Sequence, residues 1–147
     1  RNTLTIVQTG LDARPKADLA LRTVAGVTLE QAEALSPSDL AAASRLDVAE
    51  MTAVLVDSAL ADPATPEQAQ SFLRITVKDT DTAKVGKPFT QAVIEATLSS
   101  YPGFFPTTPP GAASPFGVYW PSTVAREIVD VSVTLDGQPI ATGSGAA

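Results

Sequence analysis

A chain of 147 residues, 44 % hydrophobic and 18 % charged, is the size of one domain and can bury a real core. A net charge of −6 opposes nucleic acid and anionic membrane surfaces, which recruit clustered Lys and Arg. Zero Cys and zero His exclude disulfides, thiolate nucleophiles, structural zinc, a Ser-His-Asp triad and the ordinary general base near neutral pH.

The chain opens on strand-forming residues. Leu4 to Thr9 is rich in β-branched side chains and predicts a strand, broken by Gly10 and the Asp12-Ala13-Arg14-Pro15 stretch. Asp18 to Val24 fits either a second strand or a short helix. From Thr28 to Ala61 the pattern turns helical and predicts a helical insertion between flanking strands. Thr28 and Gln31 have the spacing of a capping box, Ser36-Pro37 starts a second helix, and Asp47 leads a third stripe of Val48, Met51, Val54, Leu55 and Ala59.

Phe72 to Lys78 alternates as a strand with Leu73, Ile75 and Val77 on one side. Pro88 suits a helix start, and Phe89, Val93 and Ala96 recur at helical spacing as far as Ser99, with Ile94 and Leu98 expected to widen the apolar face. Residues Tyr101 to Pro121 form an aromatic, Pro-rich loop with six of the 12 Pro and six of the eight aromatic residues. Apolar mass of this kind has to pack on something, within the domain or on a partner. Ile128 to Leu135 alternates strictly and predicts a strand of the main sheet; Asp136-Gly137 signals a hairpin to a return strand from Gln138 to Thr142. Gly143 to Ala147 reads as a flexible tail.

Little chemistry remains. Asp79 and Asp81 could ligate a hard cation or simply cap the following turn, and Glu127 with Asp130 forms a second acid pair open to the same two readings. Gly86-Lys87 fails the phosphate-loop pattern, since its first Gly would fall at Asp81 and its Ser/Thr at Pro88. Lys84 and Lys87, with Lys78 nearby in sequence, remain candidates for contact with a phosphate at the helix start at Pro88, against the alternative of a solvated basic edge. Ser114 and Ser122 lack a base. Tyr101, Phe104, Phe105, Phe116, Tyr119 and Trp120 are the candidate ligand or interface residues, with internal packing as the competing role. No catalytic residue, metal site or cofactor is expected.

The strings Leu73-Arg74-Ile75-Thr76-Val77-Lys78-Asp79, Lys84 to Ala92, Tyr101-Pro102-Gly103-Phe104-Phe105, Thr108-Pro109-Pro110 and Ser114 to Pro121 together resemble the acyclic terpene utilisation (AtuA-like) family. That resemblance implies the carboxy-terminal part of a larger protein whose amino-terminal portion is an α/β region, linked to catabolism of citronellol and geraniol through acyl-CoA thioesters of branched isoprenoid acids. It carries over no catalytic residue. The first residue, Arg1, agrees with a fragment or processed product.

The expected fold is therefore α+β, a mostly antiparallel sheet with helices on one face, in a ferredoxin-like split βαβ topology plus the helical insertion at 28–61. The expected function is that of a non-catalytic domain or subunit whose aromatic loop completes a shared pocket or interface, the partner being the rest of a larger polypeptide or another subunit, with an acyl-CoA as candidate ligand. The alternative is an oligomerisation module without a ligand. Neither nucleic acid nor a membrane is expected as a partner, and a cytoplasmic location fits the Cys-free sequence.

Overall fold

The computed structural model describes residues 1–10, 12–99, 101–129 and 132–140. They fall into two compact units, Arg1–Phe116 and Gly117–Ala147. The first is α+β. Its sheet contains β1 (Asn2–Thr9), β2 (Glu50–Val56), β3 (Gln70–Lys78) and β4 (Phe104–Pro106), in the order β2-β3-β1-β4. Every neighbouring pair is antiparallel. β3 stands between β1 and β2, and β1 between β3 and β4, so both helical connections span an intervening strand.

Alternation determines which face is buried. Leu4, Ile6, Leu73, Ile75, Val77, Met51 and Ala53 point to one side of the sheet and are at most 6 % exposed. α1 (Ala13–Ala25) and α5 (Lys87–Ser99) pack there, contributing Ala17, Ala20, Leu21 and Val24 from the first and Phe89, Val93 and Ala96 from the second to a single cluster. The small side chains of α1 let its backbone come close, and Pro15 in its first turn lacks only a donor that an α-helix leaves free there. The Asp18-to-Val24 ambiguity is thus resolved as helix, supported by the Arg22–Asp18 ion pair one turn apart.

α2 (Leu29–Ala34) and α3 (Pro37–Ala43) start where the sequence places them. Thr28 Oγ1 accepts from the Gln31 N–H at 3.0 Å while Gln31 Oε1 accepts from the Thr28 N–H at 2.8 Å, completing the capping box. The third expected helix is a correction: Glu50–Val56 is strand β2, paired residue by residue with β3 from Glu50 opposite Lys78 to Val56 opposite Phe72. The run Met51-Thr52-Ala53-Val54-Leu55-Val56 carries both a helical and a twofold periodicity, and its β-branched residues together with the open edge of β3 favour pairing.

α5 also departs from expectation. It begins at Lys87, with Pro88 second, after the one-turn helix α4 (Thr82–Val85). Ile94 and Leu98 do not widen the buried face: they are 45 % and 83 % exposed.

The second unit is described by itself. Its residues include a single turn of 3₁₀-helix at Arg126–Ile128 and the strands β5 (Val133–Leu135) and β6 (Gln138–Ile140). The hairpin signal holds, with Asp136 and Gly137 both at positive φ, 52° and 77°, as a tight antiparallel turn demands. The expected strand from Ile128 does not form as such. Ile128 ends the 3₁₀ turn, and the short β5 belongs to a separate two-stranded sheet with β6, its side chains exposed. Its alternation is a genuine strand signal, and the strand it pairs with in this unit is β6. Residues 130, 131 and 141–147, which include part of that strand and the expected tail, lie outside the described residues.

Candidate functional site

The aromatic segment starts with a lock on the core. Gly103, at φ 87°, brings the chain against β1 so closely that a side chain there would strike Thr9 Oγ1. This turn delivers Phe104 opposite Gln8 in β1, with Phe104 8 % exposed. Tyr101 meets Phe104 edge to face at 5.5 Å between ring centroids. Its hydroxyl donates to Gln8 Oε1 at 2.7 Å, while Gln8 Nε2 donates to the Ala13 carbonyl at 2.7 Å, so the buried amide is satisfied at both ends. The Lys16 ammonium donates to the Thr9 carbonyl at 2.7 Å and lies 5.9 Å from the centre of the Tyr101 ring. Burial pushes the Tyr101 phenol up to about 12, so it remains a protonated donor rather than a base.

Phe105 turns to the opposite side of the sheet, where it is 44 % exposed. Phe116 lies under the Lys78 ammonium, 5.5 Å from its ring centre, and Lys78 also pairs with Glu50 at 3.1 Å. Between them the chain runs beside β1, tied by Thr107 N–H to the Thr5 carbonyl at 2.9 Å and by Ser114 N–H to the Arg1 carbonyl at 2.8 Å. Asn2, buried at the start of β1, donates to the carbonyls of Val85 and Gly111 at 3.0 and 3.1 Å. The six aromatic residues therefore do not form one cluster. Tyr101 and Phe104 serve the core, Phe105 and Phe116 belong to the other side of the sheet, and Tyr119 and Trp120 stand in the second unit, 88 % and 86 % exposed.

The charged candidates have local explanations. Asp79 Oδ1 accepts from the Asp81 N–H at 2.8 Å, and Asp81 Oδ1 from the Ala83 N–H at 2.9 Å, so both carboxylates organise the turn into α4. The Asp81 N–H is the main reason the Asp79 carboxyl is held below its ordinary range. Lys84 pairs with Asp47 at 2.9 Å, a bond that raises its pKa, and Lys87 is exposed at the first residue of α5. Glu127 is exposed in the 3₁₀ turn, while Asp130 lies outside the described residues. Among the described residues no group of three or more His, Cys, Asp or Glu could hold a metal, and no helix is long and apolar enough to cross a membrane.

One groove escaped the sequence. Leu46 and Val48 after α3 face Phe89 and Ala92 of α5 across a space of about 360 Å³, with the Lys84–Asp47 pair among its lining residues. Placing Asp47 and Val48 at the head of a helix hid it. Periodicity within one segment carries no signal for a hollow between two.

These electrostatics set a pH dependence. The Arg14 guanidinium grips Glu33 through two bonds of 2.9 and 2.8 Å, and Asp18 accepts from Arg22 at 2.6 Å and from the Leu29 N–H at 2.8 Å. Both carboxyls are thereby depressed, Glu33 by Arg14 and Asp18 first by Arg22 and then by Leu29. A depressed carboxyl stabilises the fold above its unfolded value and loses that contribution as pH falls through the folded one. The raised Tyr101 phenol acts at the other end, its contribution complete below its unfolded value and lost towards 12. With no His to titrate between, the melting temperature should be flat from about pH 5 to 9 and fall below about pH 4. Melts followed by circular dichroism across pH check this; a midpoint that drops between pH 5 and 8 would contradict it.

Comparison with curated proteins and with solved structures gave no match. The family described as acyclic terpene utilisation family protein AtuA matches over residues 1–135, a span that includes all four strands of the main sheet and all six aromatic positions. The chain belongs to the acyclic terpene utilisation (AtuA) family.

Proposed function

We propose that this chain is a non-catalytic domain or subunit of an AtuA-family protein, linked to the catabolism of acyclic terpenes as isoprenoid acyl-CoA thioesters. Its role is to offer aromatic surface to a pocket or interface completed by the rest of a larger polypeptide or by another subunit. Family membership supports the link to acyclic terpene utilisation. The observation that carries the domain's role is the exposure of Tyr119 and Trp120, 88 % and 86 %, beside Val118 at 77 %. Adjacent exposed rings of this size bind best where a partner or ligand removes them from water. The absence of His and Cys from the sequence agrees with chemistry supplied elsewhere. The order β2-β3-β1-β4 with two spanning helical connections supports a ferredoxin-like reading of the first unit, and a cytoplasmic setting suits a CoA-linked substrate.

The expected result is that Tyr119→Ala combined with Trp120→Ala leaves the melting temperature unchanged, because both rings are exposed, and weakens binding of a branched isoprenoid acyl-CoA by about tenfold or more. Titration calorimetry with a panel of branched and straight acyl-CoA thioesters measures it. Unchanged affinity across the panel, or no binding by the parent chain, rejects the ligand role.

A further inference from the structure

The groove between Leu46–Val48 and α5 combines an apolar wall with an uncommon local charge. Leu46, Val48 and Ala92 are only partly buried where they pack against the core, and with Pro88 and the fully buried Phe89 they line a hollow of about 360 Å³. Arg45, Asp47 and Lys84 complete the lining. A chain of net charge −6 thus has a hollow whose lining carries two cations to one carboxylate. Asp79 and Asp81 stand outside that lining, their carboxylates turned to the backbone N–H groups of the turn into α4.

Arg45 is held in place before any ligand arrives. Its backbone N–H donates to the Ala25 carbonyl at 2.9 Å and its Nε to the Val24 carbonyl at 3.2 Å, so it closes the C-terminal end of α1. The terminal amino groups of its guanidinium have no hydrogen-bond partner among the described residues. A guanidinium presents its donors as a rigid planar fork that matches a carboxylate. Lys84 is engaged by Asp47 at 2.9 Å, but the Asp47 side chain is 87 % exposed. An ion pair this open to water is weak, so Lys84 can exchange it for the carboxylate of a ligand.

We infer that this groove binds a small monocarboxylate with an unbranched or compact apolar body, the body against Leu46, Val48, Phe89 and Ala92 and the head held by Arg45 and Lys84. Size follows from volume. At the roughly 30 Å³ that a water occupies in the liquid, the hollow has room for about ten non-hydrogen atoms, the size of octanoate. Apolar walls alone would accept any oily molecule of that size. The two cations select an anionic head, and Asp47 opposes a second negative charge on it. This inference does not rest on the acyl-CoA reading, since Tyr119 and Trp120 belong to the second unit and a thioester lacks a free carboxylate.

Titration of the full chain with octanoate at neutral pH, followed by backbone amide NMR, tests it. For a ligand this small in an open groove the dissociation constant should be about 0.1–1 mM. The largest shifts should fall on residues 45–48 and 84–92. Octanol, with the same chain and no charge, should bind about fivefold or more weakly. Asp47→Asn removes the carboxylate that competes for Lys84 and should tighten octanoate about threefold, with the melting temperature unchanged. Ala92→Leu fills the groove and should weaken octanoate about tenfold or more. Arg45→Gln combined with Lys84→Met should erase the preference for octanoate over octanol, a ratio read within one protein and independent of its stability. Binding that does not saturate, shifts centred elsewhere, or octanol bound as tightly as octanoate by the parent chain overturns the inference. So does an Asp47→Asn chain whose affinity is unchanged or weaker, or a charge-free double variant that still prefers octanoate. Tyr119→Ala with Trp120→Ala should leave octanoate binding unchanged, so failure of the acyl-CoA reading and failure of this one are read separately.

Discussion

Val93→Asp is expected to abolish cooperative folding. Val93 is fully buried in α5 and belongs to the cluster that includes Phe89, Ala96 and the inner face of the sheet. A carboxylate at that position would lose its hydration among aliphatic neighbours, and the penalty for an ion in a protein interior is several kcal/mol even after relaxation. Domains of this size have about 5–15 kcal/mol in total. Ionisation could be avoided by protonation, but the acid would still be a buried polar group in an apolar cluster. The expected observations are loss of soluble protein or, if some is recovered, a melt without a cooperative transition. A cooperative melt at the parent temperature would remove α5 from the core.

The second large effect distinguishes two residues on the same helix. Phe89→Ala should destabilise by about 3–5 kcal/mol, combining lost transfer free energy with the cavity left between α5 and the sheet. Phe89 is the largest of the fully buried side chains and also lines the groove beside Leu46 and Val48, so collapse from that side should reduce the cost towards the lower figure. Leu98→Ala, at a position 83 % exposed, should change stability by no more than about 0.5 kcal/mol. Urea unfolding midpoints for the two variants measure the difference. Equal costs would mean that α5 is rotated about its axis relative to the arrangement described.

That contrast illustrates how much could be read in one dimension. Phe89, Val93 and Ala96 follow the helical period closely enough to identify the inward stripe, but Ile94 and Leu98 are equally apolar, and no property of the residues themselves says that the stripe is too narrow to include them. The width of a buried face is set by what lies opposite, here α1 and the inner side of the sheet. The segment Glu50–Val56 makes the same point more sharply. Its composition permits either a helix or a strand, and pairing with β3 decides for the strand. The aromatic segment divides in the same manner: its need to pack was visible, while the assignment of Tyr101 and Phe104 to the core and Phe105 to the other face depends on the Gly103 turn and the register of β4 on β1.

The amino-acid sequence by itself determined the α+β class, the capping box at Thr28, the Ser36-Pro37 helix start, the strand at Phe72 to Lys78, the hairpin at Asp136-Gly137, the family, and the absence of imidazole and thiol chemistry. These are properties of composition or of interactions within a few residues, which a linear pattern encodes. Tertiary structure alone decided that Glu50–Val56 pairs with β3, that the three-residue β4 rather than the Ile128 segment completes the main sheet, and that Val56, Phe72, Val7 and Phe105 align across its four strands. Each of those outcomes depends on hydrogen bonds between residues tens of positions apart. Local periodicity is the same whichever of the available edges a strand joins, so the choice is made by the burial that the completed sheet and its helices achieve together.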